Sequence, residues 1–246
     1  MNDNVKFGLK NIPKSEKTDK VSEVFSSVAK KYDLMNDLMS FGQHRLWKEK
    51  LHSMAKIKNN ETILDVASGT GDLALKFMKK NKNISVTCLD ENKEMLEICK
   101  DRLLDNGFFK NLFFINSSIE KFSKSENKYT LVTISFGFRN FTDHVKALKN
   151  IYKSLKPGGR LIIMDFKNPR NGILRNIFSS YTDNILPVLG EKVAGDSESY
   201  RYLSDSIKTY MTVDEVTKLL SRTGFVNIRS ESMPGDFVSI HLGYKS

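Results

Sequence analysis

Hydrophobic positions along the chain follow two spacings in alternation. Short apolar runs bounded by polar or turn residues predict strands over residues 62–66, 84–90, 112–116, 131–135 and 160–165. Apolar residues at helical spacing predict helices over residues 72–80, 93–104 and 143–155. Strands that alternate with helices are typical of βαβ units. The pattern therefore predicts an α/β fold, Rossmann-like, with a parallel sheet and helices on both faces.

The regions before residue 62 and after residue 165 do not follow this alternation. Residues 1–20 are polar and aperiodic, which predicts a disordered N-terminal arm. Helical spacing then runs from Val21 to Tyr32, and again over residues 45–56. In that second helix, the residues expected to face inward are Leu46, Trp47, Leu51 and Met54. We predict one domain over residues 21–246, opened by these helices.

The C-terminal part contains an insertion and two further strands. Residues 166–210 break the alternation and are rich in Phe, Tyr and Leu, so we predict an insertion after the fifth strand that covers the substrate. Thr212 is expected to cap a helix over residues 212–223 that ends at Gly224. Strands over residues 226–232 and 237–244 complete a seven-stranded, mostly parallel sheet.

Composition is typical of a globular protein of one domain. The 246 residues are 39% hydrophobic and 28% charged, and no apolar run reaches the roughly 18–20 residues that span a bilayer. No signal-like apolar segment opens the chain, and two cysteines are too few for a disulfide scaffold, so we predict a cytoplasmic protein.

The net charge of +10 fits an anionic membrane, a nucleic acid or an acidic substrate, but also a simple excess of lysine. Basic stripes with interleaved aromatics are not evident, so no nucleic-acid partner is predicted. The four histidines lack metal-ligand spacing, so no metal is predicted.

A glycine-rich turn follows the first strand of the predicted sheet. Asp65 ends the strand, and Gly69 and Gly71 open the next helix, where a ligand can approach the backbone closely. The spacing Gly69-x-Gly71-x-x-Ala74 also fits a dinucleotide fingerprint. Asp65 would repel a pyrophosphate and attract a cation such as a methionyl amino group. The turn therefore favours S-adenosylmethionine over a nicotinamide dinucleotide, and a turn without ligand stays possible.

Polar residues end the other predicted parallel strands. Asp90 suits the two hydroxyls of a ribose, or alternatively caps a helix, a role that Asn92 also fits. Asn116 and Ser117 end the third strand, where they could meet an adenine edge, and Ser135 ends the fourth. Because carboxyl ends of parallel strands meet at one edge of the sheet, we predict one cofactor crevice there.

Arg139 and Asn140 stand in an otherwise apolar segment, residues 135–141. Such a segment could bind a phenolic substrate, with Arg139 stabilising a phenolate that justifies its burial. The alternative is an arginine that faces solvent at a helix start.

Several longer segments resemble one family. They are residues 24–37 (VFSSVAKKYDLMND), 39–42 (MSFG), 44–48 (HRLWK), 133–140 (TISFGFRN), 199–207 (SYRYLSDSI) and 241–245 (HLGYK). Together with the glycine-rich turn they resemble the ubiquinone/menaquinone biosynthesis C-methyltransferases, a class I family that uses S-adenosylmethionine. The likeness runs from about residue 21 to the C-terminus. Ser68 and Ser117 depart from it, since Gly and Ala are commoner there.

The resemblance implies methyl transfer to a ring carbon of a polyprenylated benzoquinol, of demethylmenaquinol or of both. Its cofactor positions fall on Thr70, Asp90, Asn116, Ser117 and Ser135. Tyr32, Arg139 and Asn140 are the candidates for orienting the quinol or a proton-accepting water. An O-methyltransferase of another lipid or phenol is the alternative function, followed by a cofactor-binding sensor and a nicotinamide oxidoreductase.

The isoprenoid tail of such a substrate suggests a role for the insertion. Its apolar residues, which would line a tunnel or lid or else cap the core, are Phe178, Tyr181, Ile185, Leu186, Val188 and Leu189. The implied partners are the quinol, the inner membrane at its inner face, other quinone-biosynthesis enzymes and a second copy of the chain.

Overall fold

The described part of the chain folds into nine strands and ten α-helices. The computed structural model describes residues 4–81, 83–122, 126–169 and 172–246, leaving aside the side chains of residues 174, 177, 178, 193 and 194. The strands are β1 Asn4–Phe7, β2 Lys10–Pro13, β3 Thr62–Val66, β4 Ser85–Asp90, β5 Leu112–Asn116, β6 Tyr129–Ser135, β7 Leu155–Phe166, β8 Phe225–Ser232 and β9 Val238–Lys245. The helices are α1 Lys14–Val28, α2 Tyr32–Ser40, α3 His44–Ala55, α4 Asp72–Lys80, α5 Lys93–Asp105, α6 His144–Ser154, α7 Gly172–Ser180, α8 Leu186–Ala194, α9 Ser197–Lys208 and α10 Val213–Arg222.

The central sheet has seven strands in the order β5-β4-β3-β6-β7-β9-β8. Neighbours from β5 to β7 are parallel, and β9 is antiparallel to both β7 and β8. The predicted α/β class with a mostly parallel sheet is confirmed. The chain moves outward from β3 to β4 and β5, then returns to β6 on the other side of β3. Open α/β sheets bind ligands at such a reversal, outside the carboxyl ends of the strands.

Apolar layers cover both faces of the sheet. Alternate residues of β3 point to opposite faces, so Ile63 packs in the layer that contains Phe77, and Leu64 in the layer that contains Leu148. All four side chains are fully buried. A sheet covered on both faces leaves its strand ends as the open site for polar chemistry.

Predicted bounds agree closely for the central elements. β3 and α4 match residues 62–66 and 72–80, and Thr212 caps α10 in a capping box with Glu215. β7 differs, because it begins at Leu155 rather than at residue 160. Leu155 already pairs with Tyr129, and the ladder then bulges around the predicted turn, where Gly158 has φ +73°. The turn is thus an interruption within a strand.

The prediction of a disordered arm over residues 1–20 is wrong for residues 4–20. They form the β1–β2 hairpin and the first half of α1. Their order comes from distant contacts: Phe7 stacks on Tyr202 with ring centroids 4.4 Å apart, and Lys17 Nζ donates to the carbonyl of Phe141 at 2.9 Å. Because these contacts involve polar and isolated aromatic residues, the segment shows no hydrophobic periodicity from which its order could be predicted. Residues 1–3 lie outside the described ranges.

The inward face of α3 also differs from the prediction. Leu46 is 69% exposed, whereas His44 and Lys48 are buried beside Trp47 and Leu51. Helix positions four apart share a face, so 44, 48 and 51 point inward and 46 points outward. The inward face of α3 therefore includes the buried Lys48 and not, as hydrophobicity predicted, Leu46.

The insertion folds as α7, a π-helical turn over Tyr181–Ile185, α8 and α9. Leu186 is fully buried in the hydrophobic core, so this residue packs in the core and does not line a tunnel or lid. Ile185 and Val188 are about half exposed, at 50% and 52%. Leu189 is partly exposed, and the side chain of Phe178 lies outside the described ones. Within the described ranges, no helix is long and apolar enough to cross a membrane.

Candidate active site

The loop after β3 lies at the reversal point and is built around two glycines. Gly69 and Gly71 have φ +54° and +79°, a region that glycine adopts without strain. A Cβ on Gly71 would lie 2.5 Å from Cys99 Sγ, so a larger residue would displace α5. The loop backbone is therefore held close to the ends of β3 and β4.

A small cavity opens beside this loop, and we name it the Asp65 cavity. Its polar lining consists of Tyr32, Lys48, Asp65, Ser68, Thr70, Asp72 and Ser135. Asp65 Oδ1 accepts from the hydroxyl of Thr133 at 2.6 Å, but the buried Oδ2 has no partner among the described residues. The buried hydroxyls of Ser68 and Ser135 share that condition. Buried polar atoms without partners indicate a site for a polar ligand.

Burial raises the pKa of Asp65 to about 7, against the opposing effects of Thr133 and Lys48. Ionised Asp65 is thus costly in the free protein at neutral pH. A cation bound at Oδ2 would compensate that cost. The cavity therefore suits a ligand that carries an ammonium group.

A larger cavity lies under α1, and we name it the α1 cavity. Val21, Ser22 and Phe25 of α1 cover it, and its floor is made by the ends of β3, β4 and β6 and the segment after β5. It shares Tyr32 and Ser135 with the Asp65 cavity, so the two spaces adjoin. The covering helix was not assigned to the site from the sequence, since its three contacts are far from the strand ends along the chain.

Asp90 lies in the α1 cavity, with both oxygens anchored. Oδ2 accepts from the N–H of Gly69 at 2.7 Å, and Oδ1 from the N–H of Asn92 at 2.9 Å. Burial raises the pKa of Asp90 to about 6, although these two bonds act in the opposite direction. Asn92, not Asp90, caps α5 by accepting from the N–H of Met95 at 2.9 Å. The carboxylate of Asp90 is therefore available to a diol. The alternative role predicted for it, capping the helix, is performed by Asn92.

The remaining predicted cofactor residues occupy different places. Ser117 and Ser135 line the α1 cavity, and Thr70 lines the Asp65 cavity. Asn116 does not belong to either lining, because its amide donates to the carbonyls of Asp90 and Glu91, both at 3.0 Å. It shapes the loop after β4 from outside. Glu91 is a cavity residue that the strand-end pattern missed.

Two of the three candidate catalytic residues, Tyr32 and Asn140, line a cavity, whereas Arg139 belongs to neither lining. Tyr32 lines both, and burial raises its pKa to about 12, so it is a neutral phenol at physiological pH. Asn140 lines the α1 cavity, and its side-chain oxygen accepts from the hydroxyl of Tyr202 at 3.0 Å. Tyr202 belongs to α9, so the insertion contributes to this site.

Arg139 does not lack a partner, which corrects the prediction that a phenolate must justify its burial. Its Nη1 donates to Asp165 Oδ1 at 2.7 Å, and both side chains are almost fully buried. Burial disfavours the charge on Arg139, but Asp165 outweighs it and raises the pKa of the guanidinium. Nη1 and Nε also reach the carbonyl of Phe136 and the hydroxyl of Ser206. The sequence could not pair Arg139 with Asp165, because Arg139 lies in the turn after β6 and Asp165 near the end of β7, 26 residues apart.

Sequence comparison decides the family. The pattern of the ubiE/COQ5 methyltransferase family matches residues 5–245. The chain belongs to the ubiE/COQ5 methyltransferase family. A ubiquinone/menaquinone biosynthesis C-methyltransferase UbiE of Pseudomonas fluorescens (strain SBW25) is 40% identical over 240 residues, which cover 97% of this chain and 94% of that one. The UbiE of Pseudoalteromonas translucida (strain TAC 125) is also 40% identical, with 97% and 96% coverage.

Solved structures confirm the fold of this methyltransferase. A SAM-dependent methyltransferase from Aquifex aeolicus superposes with a TM-score of 0.60 at 18% identity, covering 81% of this chain and 89% of that one. A phosphoethanolamine N-methyltransferase from Haemonchus contortus, in complex with S-adenosyl-L-methionine, superposes with a TM-score of 0.62 at 14% identity, covering 81% and 52%. The class I methyltransferase architecture is thereby confirmed.

The site of this methyltransferase fits S-adenosylmethionine as methyl donor. The unpartnered Asp65 Oδ2 suits the ammonium of the methionyl part, and the adjoining α1 cavity presents Asp90 to a ribose diol. Ser117 lies in the same cavity, beyond Asp90, where the adenine would follow. The order of these groups along the strand ends follows the order of groups in the cofactor.

Proposed function

We propose that this methyltransferase moves a methyl group from S-adenosylmethionine to a ring carbon of a polyprenylated quinol, in the biosynthesis of ubiquinone, menaquinone or both. The observation that carries the proposal is the meeting of the two cavities at Tyr32, Ser135 and Phe136. The Asp65 cavity suits the methionyl part of the donor, and the Asp90 end of the α1 cavity suits its adenosine. The aromatic part of the α1 cavity, at Tyr32, Phe136 and Phe141, suits the flat ring of the acceptor. The UbiE relatives bear names from this pathway.

When bound, S-adenosylmethionine would supply a methyl group on a positively charged sulfur. An electron-rich ring carbon would take that methyl as the sulfur–methyl bond breaks, leaving S-adenosylhomocysteine. The chain holds that carbon in line with the methyl and excludes water under α1. Tyr32, protonated at neutral pH, donates a hydrogen bond to a ring oxygen, and Asn140 orients the ring from the opposite wall. The Arg139–Asp165 pair positions the turn that carries Asn140, and is not itself a catalytic group.

The ring proton must leave once the new carbon–carbon bond has formed. Tyr32 cannot accept it at neutral pH because its phenol is already protonated, and Arg139 cannot because its pKa is raised. Water or an ionised oxygen of the quinol is the proton acceptor that we propose. Rearomatisation then completes the product.

The test is to locate the transferred methyl. The enzyme is incubated with donor labelled with ¹³C in the methyl group and with a chemically reduced short-chain quinol, and the product is examined by NMR. A label bonded to a ring carbon supports the proposal. A label on oxygen would establish the alternative function, an O-methyltransferase. If neither a benzoquinol nor a demethylmenaquinol analogue accepts the label, quinols are not the substrate.

The insertion is proposed to cover the isoprenoid tail. Ile185 and Val188 are half exposed, and Tyr181 beside them packs against Phe41 with ring centroids 4.7 Å apart. Replacing Ile185 and Val188 together by Ser should lower kcat/KM for long-tailed quinols about tenfold or more, because each buried CH₂ contributes about 0.8 kcal/mol, with little change for tailless quinols. Phe109→Ser, at an exposed position beyond α5, is the control. Equal losses on both substrates would contradict a tail-binding role.

The acceptor's tail keeps it in a membrane, so we also propose that the enzyme works at an anionic membrane surface. The net charge of +10 and the exposed Phe41, Ile185 and Val188 support this. Co-sedimentation with vesicles of mixed anionic lipid should weaken as salt rises. Absence of binding at low salt would contradict the proposal.

A further inference from the structure

Lys48 is a buried charge that methyl transfer to a quinol does not explain. Its side chain is 6% exposed, and it projects from α3 into the Asp65 cavity. Burying an ammonium costs several kcal/mol unless it is paired. Asp72 Oδ2 accepts from Lys48 Nζ at 2.6 Å, and the ring centre of Phe136 lies 5.9 Å from Nζ.

Asp72 compensates only part of that cost. Its side chain is 34% exposed, so water already stabilises its charge. Burial works against ionisation of Asp72, yet the ammonium of Lys48 holds the pKa of this carboxyl below its usual value. An ammonium has three donors, and Asp72 takes one of them. A second anion in the cavity would find Lys48 suitably charged and placed.

The Asp65 cavity thus presents both signs of charge. Asp65 Oδ2 is a buried acceptor without a partner among the described residues, and Lys48 is a buried donor on α3 that lines the same cavity. Thr70 also lines this cavity, and its hydroxyl donates to Asp33 at 3.2 Å. An α-amino acid, which carries an ammonium and a carboxylate on one carbon, matches that pair of charges.

We propose that Lys48 binds the carboxylate of the methionyl part of S-adenosylmethionine, opposite Asp65, which binds its ammonium. The proposal rests on the cofactor assigned above but not on the quinol. It makes Lys48 a specificity residue: ligands that keep the adenosine and the amino group but lack the carboxylate gain nothing from it.

A purely structural role for Lys48 makes a different prediction. If the Lys48–Asp72 pair only ties α3 to α4, removing Lys48 should weaken every ligand of the site alike. If Lys48 binds a carboxylate, the loss depends on the ligand. The comparison therefore needs two ligands that differ in this one group.

The experiment measures the Kd of S-adenosylmethionine and of decarboxylated S-adenosylmethionine by calorimetry, for the full chain without quinol. Wild type should bind the carboxylate-bearing ligand more tightly, by roughly 10- to 100-fold, the range for a charge-assisted hydrogen bond. Lys48→Met should lose most of that preference, and its affinity for the decarboxylated ligand should stay equal or rise, because a like charge has been removed. Lys48→Arg should keep part of the preference.

Two matched variants control the comparison. Lys50→Met removes another lysine of α3, one that pairs with Glu231 at 2.9 Å, and should leave both Kd values within about twofold. Asp72→Asn breaks the Lys48 pair but keeps the ammonium, so the preference for the carboxylate should persist. Equal losses of both ligands in Lys48→Met, or no preference in wild type, would overturn the role of Lys48. If wild type binds neither ligand, the cofactor assignment itself fails.

Discussion

The α1 cavity and the Asp65 cavity adjoin, but their carboxylates differ in how far the protein itself hydrogen-bonds them. In the α1 cavity, Asp90 and Asn92 are held by backbone and side-chain bonds from the protein itself. In the Asp65 cavity, Asp65 Oδ2 and the hydroxyl of Ser68 are buried without partners among the described residues, as is the hydroxyl of Ser135, which lines both cavities. Asp90 and Asn92 are therefore hydrogen-bonded before a ligand arrives, whereas Asp65 Oδ2 needs the ligand as a partner. Substitutions should therefore change the free energy of unfolding in opposite directions in the two regions.

The largest expected effect is a loss of stability in the α1 cavity. Asn92→Ala removes the cap of α5 and the amide bonds to Ser22 and Ser26 of α1. We expect the free energy of unfolding to fall by about 2–4 kcal/mol, which lowers Tm by roughly 5–10 °C. Calorimetry of the ligand-free protein measures it. Asn106→Ala, an exposed position after the same helix, should change Tm little, and an equal drop in both variants would contradict the special role of Asn92.

The opposite sign is expected for Asp65→Asn in the Asp65 cavity. Because burial raises the pKa of Asp65 to about 7, the folded state holds its proton while the unfolded chain has lost it, so wild-type stability falls as pH rises from about 4 to 7. The variant has no such proton and should be about 1–3 kcal/mol more stable than wild type at pH 8, with the gain shrinking toward pH 4.

Denaturant unfolding of Asp65→Asn at pH 5 and pH 8 measures that gain. Asp101→Asn, an exposed carboxylate on α5, is the control and should show no pH-dependent gain. A variant less stable than wild type at pH 8 would mean that Asp65 serves the fold and not the ligand.

The smallest expected effect is the pH dependence of donor affinity. A ligand ammonium binds ionised Asp65, so affinity should fall roughly five- to tenfold between pH 7.5 and pH 6, as Asp65 takes up its proton around pH 7. Asp90, with a pKa of about 6, adds a fall of the same sign at lower pH. In Asp65→Asn the step near pH 7 should vanish while the lower one remains. Calorimetric titrations across this range decide it, and an unchanged step near pH 7 in the variant would assign it to another group.

The part of the site that the sequence predicted follows from local pattern. Asp65, Asp90 and Ser135 each end an apolar run of strand length, and parallel strands bring such ends to one edge. Asn116 shows the limit of that reasoning. It ends β5 as expected, but its amide binds the carbonyls after β4 instead of lining a cavity. Position at a strand end does not determine where a side chain points.

The residues that sequence reasoning missed act across long separations. Asp165 on β7 neutralises Arg139 in the turn after β6, and Tyr202 reaches Asn140 across 62 residues. Hydrophobicity predicted that Leu46 faces the core from α3. In the structure Leu46 is exposed, and Lys48 is buried on the inward face of that helix. A buried charge has no hydrophobic signature, so only its partners identify it, and the partners become neighbours only when the chain has folded.

The sequence alone determined the order of strands and helices, the glycine-rich loop and the carboxylates at the ends of β3 and β4, because these depend on spacing within a few residues. The resemblance to the methyltransferase family, which lies in residues 24–48 and 133–140, was also determined by the sequence alone. The tertiary structure alone decided that α1 becomes the cover of the α1 cavity, that Arg139 already has its counterion, and that Lys48 lines the same cavity as Asp65. Each of those outcomes depends on free energies of burial and pairing between distant segments, which no local period encodes.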